Sequence, residues 1–247
     1  MEEKEALEFL SNQANVASEN KVHEIDGEKF LIGDDVRPYH LDRRAKRELV
    51  SHSLSSMVGY IESGADGRKN LLIEIKSPSE VTLEGALNKY GERETLMTAE
   101  LNYSKFRFDE FDDFELLNIA LQSQFDKTDD RDILLKFIGN YKEETSNTST
   151  DDGVSQTAVI KTGAASVQNV RVPNPVVLKP FRTFIEVEQP ESKFVFRTHQ
   201  GMQAGLFGAD GDAWVQRAVS DIKDYFVNNI LTQDFYTSDN MKITVIA

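Results

Sequence analysis

Apolar and polar residues alternate most strictly in the middle of the chain. Val154, Gln156, Ala158 and Ile160 fall on one side of an extended segment, with Ser155, Thr157, Val159 and Lys161 on the other. The alternation resumes with Phe181, Thr183, Ile185 and Val187 set against Arg182, Phe184, Glu186 and Glu188. A period of two, rich in β-branched and aromatic residues, predicts strands. Gln189-Pro190-Glu191-Ser192 is then a turn that folds Phe181–Glu188 antiparallel onto Phe194–Arg197. Four of the six prolines (Pro173, Pro175, Pro180 and Pro190) punctuate the region, ending its strands at corners or confining them to sheet edges.

Elements of longer period flank this stretch. Residues 2–18 predict a short amphipathic helix through Ala6, Leu7 and Leu10. Lys21–Ile32 predicts a hairpin turning at Asp26-Gly27, and Val36–Leu41 an extended run. Val50, Leu54, Met57, Val58 and Ile61 share a helical face in a segment opened by Asp42 and stopped by Gly64. Asn70–Lys76, Val81–Leu83 and Thr95–Phe108 read as strands. Phe114, Leu117, Leu121 and Phe125 mark one helix, behind Asp109, Glu110, Asp112 and Asp113; Ile133, Leu134, Phe137, Ile138 and Tyr141 mark another, capped by Thr128 or Asp129. A last helix, capped by Asp210 or Asp212, buries Trp214, Ala218, Ile222, Tyr225 and Phe226, and Met241–Ile246 is a strand seeking a sheet. The sum is an α+β fold, mostly antiparallel sheet with helices packed on one face. Lys142–Asp152 holds no apolar residue and predicts a polar loop or linker, between an N-terminal α+β region (1–141) and a C-terminal β-rich region (153–247).

Composition narrows the setting. A chain of 247 residues, 39% hydrophobic and 28% charged, has room for a substantial core. No run is long enough to span a bilayer, the opening MEEKEALEFL lacks the order of a signal peptide, and the absence of cysteine removes disulfides and thiolate chemistry. Together these predict a cytoplasmic protein with no membrane partner. A net charge of −14 opposes sequence-independent binding to DNA over the whole surface. It leaves room for a local basic site, and Arg43, Arg44, Lys46 and Arg47 supply one, suited to phosphate or to the acidic Asp109–Asp113 patch of another copy.

Two constellations carry candidate chemistry. Arg182, Glu186, Glu188 and Arg197 are either cross-strand ion pairs or the walls of a polar ligand site, the two arginines gripping a phosphate or carboxylate. Asp66, Glu74 and Lys76 have the order of a restriction-like nuclease site, with carboxylates to hold Mg²⁺ and a lysine to assist water. His23, His40, His52 and His199 show no metal-ligand spacing, and no serine sits in a GxSxG elbow.

Asp151–Gln156 (DDGVSQ), Val172–Phe184 (VPNPVVLKPFRTF) and Glu186–Arg197 (EVEQPESKFVFR) resemble the YfdQ family of bacteriophage and prophage proteins. The resemblance continues at Ser77–Val81, near Arg93, and at Leu121–Phe125 and Phe207–Trp214, covering the chain from about Val36 onward. The family is a domain of unknown function. The resemblance therefore implies a phage origin and a bacterial cytoplasm, and assigns no catalytic residue. The resulting expectation is a non-enzymatic accessory or binding protein without a cofactor, tied to phage DNA metabolism and assembling as a homo-oligomer, with a host or phage protein as further partner. Two alternatives stand beside it: a Mg²⁺-dependent nuclease using Asp66, Glu74 and Lys76, and an inhibitor of host antiphage defence acting by ligand sequestration or DNA mimicry.

Overall fold

A computed structural model describes residues 4–10, 22–25, 28–32, 36–38, 45, 47–65, 67, 69–88, 91–102, 106–140, 150–151, 156–162, 166–231 and 241–247. The chain divides into two compact units, Met1–Lys46 and Arg47–Ala247. The first holds helix α1 (residues 4–10) and an antiparallel meander of β1 (Val22–Ile25), β2 (Glu28–Ile32) and β3 (Val36–Pro38). The register Ile25↔Glu28 agrees with the expected hairpin.

The second unit opens with β4 (Leu49–Ser51), α2 (Leu54–Ser63), β5 (Asn70–Ser77), β6 (Glu80–Gly85) and β7 (Thr95–Glu100). Next come β8 (Asp112–Asp113), α3 (Phe114–Ser123), α4 (Asp129–Asn140), β9 (Thr150–Asp151), β10 (Gln156–Thr162) and β11 (Ser166–Val172). It closes with β12 (Val176–Leu178), β13 (Ser192–His199), β14 (Gln203–Gly208), α5 (Ala213–Phe226) continued by the π-helical Val227–Leu231, and β15 (Lys242–Ile246). Helices and mostly antiparallel sheets make this an α+β fold. Among the described residues no helix is long and apolar enough to cross a membrane.

Two sheets build the cores. In the five-stranded sheet, ordered β15-β5-β6-β7-β4, the central pairs are antiparallel and both edge pairs parallel. Leu71, Ile73 and Ile75 of β5 pair in register with Gly85, Leu83 and Val81 of β6, so they share a face, and they cluster with Met57 and Ile61 of α2 and Ile222 and Phe226 of α5. In the four-stranded sheet, ordered β12-β13-β14-β8, Phe194, Phe196 and Leu206 cluster with Leu117 and Leu121 of α3 and Leu134 and Phe137 of α4. The N-terminus of α4 closes the edge of β12: Asp130 Oδ2 accepts from Val177 N at 2.7 Å and Thr128 Oγ1 donates to Val177 O at 3.3 Å. Thr128 is also the cap, accepting from Arg131 N at 3.1 Å.

Several expectations need correction. The helix expected from Asp42 begins at Leu54, because Ser53 turns extended and its hydroxyl caps Ser56 N; Val50 lies on β4 and is exposed. The chain divides at residues 46 and 47. The expected boundary at 142–152 lies inside the second unit, mostly outside the described residues, and Phe137 before it shares a core with Val172 and Phe196 after it.

The expected strand Phe181–Glu188 is an irregular segment, and β13 pairs with β12 and β14 instead. Its facing is inverted at one point: Phe184 is fully buried while Ile185 is 85% exposed, since Val187 N donates to Phe184 O across a turn. The buried Gln189 side chain takes the place of a strand neighbour. Its Oε1 accepts from Arg182 N at 2.9 Å and Thr183 N at 3.2 Å, and its Nε2 donates to Thr183 O and Phe184 O, each at 3.2 Å. Gln189→Ala strips these partners from buried backbone and is expected to cost about 3 kcal/mol of unfolding free energy, measured by urea titration. Gln189→Glu, which keeps the acceptor but loses the amide donor and buries a carboxyl, is expected to do no better.

Candidate functional site

The Gln189 clasp sets the direction of Arg182. Phe181 N donates to Gln124 O at 2.9 Å and Thr183 Oγ1 donates to Pro78 O at 2.7 Å, so the segment is tied to the end of α3 on one side and the β5–β6 turn on the other. Arg182 leaves this anchored backbone with its guanidinium 3.8 Å from the ring centroid of Trp214, in the first turn of α5. The rings of Phe108 and Phe194 lie 5.5 and 5.7 Å from the same carbon, and Arg182 Nη2 donates to Ser192 Oγ. A cation against a tryptophan face is favoured electrostatically, more so when partly desolvated.

These groups wall a cleft of about 300 Å³. Phe106, Phe108, Phe181, Phe194, Pro78, Pro180 and Trp214 supply apolar surface, and Ser79, Arg182, Asp109, Asp210 and Asp212 supply polar groups. The aromatic wall is rigid: Phe108 stacks on Phe194 at 5.0 Å and 11°, and Phe106 meets Phe108 and Phe125 edge-on. Asp109 is in the left-handed region (φ 62°), its N–H bonded to Leu206 O and its Oδ1 accepting from Gly208 N at 2.9 Å. That crossing needs a glycine at 205, where a Cβ would collide with the carbonyl oxygen of Glu110. Asp210 Oδ1 accepts from Asp212 N at 3.2 Å, while Asp212 begins α5 without a side-chain cap bond. Asp109, Asp210 and Asp212 against Arg182 make the lining acidic by three residues to one.

A second, apolar groove of about 530 Å³ lies beyond Phe181, lined by Leu101, Ile185 and Val187 with Gln124, Asp126 and Glu188 at its polar side. Ser123, Thr183 and Gln189 also line it, but Gln189 is spent on the backbone of 182–184, Thr183 on Pro78 O and Glu188 on Lys179.

Of the four residues expected to form a polar site, only Arg182 reaches the cleft. Glu186 serves a helix: its Oε1 accepts from Ser55 N at 3.1 Å and Ser55 Oγ at 3.2 Å, placing a carboxylate at the N-terminus of α2. Glu188 accepts from Lys179 Nζ at 2.6 Å. Arg197 sits on β13 an odd number of residues from Phe194 and Ser192, so it projects from the opposite face of the strand. Glu74 and Lys76 lie on β5, with Lys76 paired to Glu80 at 3.6 Å; Asp66 lies outside the described residues. Among the described residues no group of His, Asp and Glu is able to hold a metal ion. Of the basic cluster, Arg47 is described and exposed, while Arg43, Arg44 and Lys46 lie outside the described residues. His52 lies just before α2, its Nδ1 2.8 Å from Glu100 O.

Sequence reasoning passed over Trp214, Phe108 and Asp109 as site residues. Trp214 was legible only as part of a buried helix face. The signal nearest to the site was the run GMQAGLFGADG shortly before it, whose Gly205 permits the close crossing with Glu110 and whose Asp210 lines the cleft. No protein-family model, curated protein or solved structure matches the chain.

The Lys179–Glu188 pair has a defined pH window. The hydrogen bond from Lys179, then its charge, lowers the Glu188 carboxyl below its ordinary range; the bond to Glu188 raises Lys179 above its own, against partial desolvation. A lowered carboxyl contributes stability above its unfolded pKa and loses it as pH falls; a raised lysine contributes below its unfolded pKa and loses it as pH rises. Glu188→Gln is thus expected to lower the melting temperature slightly at pH 7, with the difference from wild type closing below about pH 4. Thermal melts across pH check this.

Proposed function

We propose that the chain is a non-enzymatic binding protein that holds a small molecule in the Arg182–Trp214 cleft. One observation carries the reading: a guanidinium laid on a tryptophan face, in a cleft that joins aromatic walls to a few convergent polar groups. That combination is the usual make-up of a small-molecule site. Among the described residues the lining has aspartates and one arginine but no histidine or lysine, a make-up that favours holding a ligand over acid–base chemistry. With the resemblance to YfdQ-type proteins, we read it as a bacteriophage accessory protein working in the host cytoplasm. Sequestering a ligand of host defence would use the same cleft. The nuclease reading draws no support from Lys76, whose partner is Glu80.

We also infer that the helices of each core lie on one face of its sheet. For the five-stranded sheet this rests on α2 and α5 sharing one cluster with Leu71, Ile73, Ile75, Val81 and Leu83. Self-assembly through strand edges is a second proposal. Among the described strands β15 pairs only with β5, it carries one charge, Lys242, and Ile246 is 41% exposed. An open strand edge of this kind is a template for pairing.

Trp214 is the single tryptophan, so its emission reports the cleft directly. Against a panel of small metabolites, at least one class is expected both to raise the melting temperature and to change this emission. Both responses should be lost in Arg182→Lys, since a lysine does not reproduce the planar stack. A panel that moves neither overturns the binding reading. Light scattering at tens of micromolar tests assembly: an oligomer that persists in high salt is expected, and a monomer at both low and high salt overturns it.

A further inference from the structure

Resting on the cleft as a ligand site, the charge arrangement points further, and we infer that its ligand is a neutral planar heterocycle bearing exocyclic amino groups, the base of a nucleoside without its phosphates. Three features of the cleft converge on this class. First, the lining is rich in rings: Phe106, Phe108, Phe181 and Trp214 all border the cleft, and aromatic surface favours a planar ligand. Second, the acceptors outnumber the donors. Asp109 and Asp210, which line the cleft, each commit one oxygen to a backbone N–H, at Gly208 and Asp212, so a second acceptor oxygen remains on each, and Asp212 makes no side-chain cap bond. Carboxylate oxygens pair strongly with N–H donors, and an exocyclic amino group beside a ring N–H presents two donors to one carboxylate.

Third, charge disfavours both ionic classes. A phosphate would meet three carboxylates against one guanidinium already engaged by Trp214 and Ser192. A cationic amine would find Arg182 occupying the cation position over the tryptophan face. A neutral, donor-bearing ring avoids both conflicts. The aspartates are not catalytic residues in this scheme; they read the ligand's edge.

The test is titration of the full chain followed by Trp214 emission, with guanosine, adenosine, cytidine, uridine, GMP and spermidine as probes. Guanosine, adenosine or cytidine is expected to give a saturable change. Uridine, which has no exocyclic amino group, should bind at least about tenfold more weakly, the cost of one lost charge-assisted hydrogen bond. GMP should bind no more tightly than guanosine. Asp109→Asn, which keeps an acceptor for Gly208 N, should weaken the best nucleoside by about tenfold while leaving the melting temperature of the free protein in place. If that variant fails to fold, Asp212→Asn is the substitute, at an exposed position without a side-chain cap bond. Uridine equal to guanosine, GMP tighter than guanosine, or a response to spermidine alone overturns the inference. Each of these leaves a ligand site standing with a different occupant. Silence from every probe here and from the metabolite panel overturns the site as well.

Discussion

A single buried amide governs the architecture around the cleft. Gln189 satisfies two N–H groups and two carbonyls of residues 182–184, a segment that pairs with none of the described strands. Backbone groups buried without partners are rare because each costs free energy comparable to a lost hydrogen bond. An irregular segment therefore runs through the interior only where something else supplies the bonds. One side chain does so here, and in consequence Phe184 enters the core of the five-stranded sheet while Arg182 turns toward the aromatic residues of the other.

The segment 180–190 thus couples the two hydrophobic cores of the second unit. Pro180 bridges to Phe125 below α3, Thr183 bonds to the β5–β6 turn, and Glu186 receives the N-terminus of α2. The cleft takes Trp214 from a helix of one core and Phe194 from a strand of the other. Its shape is a readout of how the two layers are seated, and the aromatic stack between Phe108 and Phe194 resists sliding at that seam.

The sequence made regular elements legible wherever the side-chain period matched the burial. Strand β5 and the buried faces of α3 and α4 follow from period and capping, and β10 and β15 lie where the sequence placed strands. The segment 181–188 alternates as a strand should, yet its alternation is incidental. The position of Gln189 is a tertiary fact that no local pattern encodes, and it overrides β propensity. The same limit hid the site. Glu186 and Glu188 look like ligand groups beside Arg182 in sequence, but one caps a helix 131 residues away and the other pairs with Lys179. Trp214 and Asp109 join Arg182 only through the packing of distant segments. The expected helix start at Asp42 failed for a local reason: the Ser51 hydroxyl accepts from Ser53 N and the Ser53 hydroxyl caps Ser56 N, which ends the extended run and overrides the apolar spacing that begins at Val50.

The parallel pairing of β15 with β5 has a consequence for how the chain acquires its structure. The strand that completes this edge lies at the far end of the sequence from its neighbour, with Lys242 opposite Asn70. During synthesis β5 is extruded long before β15, so one side of a sheet otherwise able to form early stays bare while more than half of the chain is made. Long-range parallel pairing is slow, and unpaired edges invite wrong partners in the interval. The ribosome's pace, and whatever shields nascent strands in the cell, therefore bear more heavily on the yield of this protein than on that of one whose sheet is zipped hairpin by hairpin.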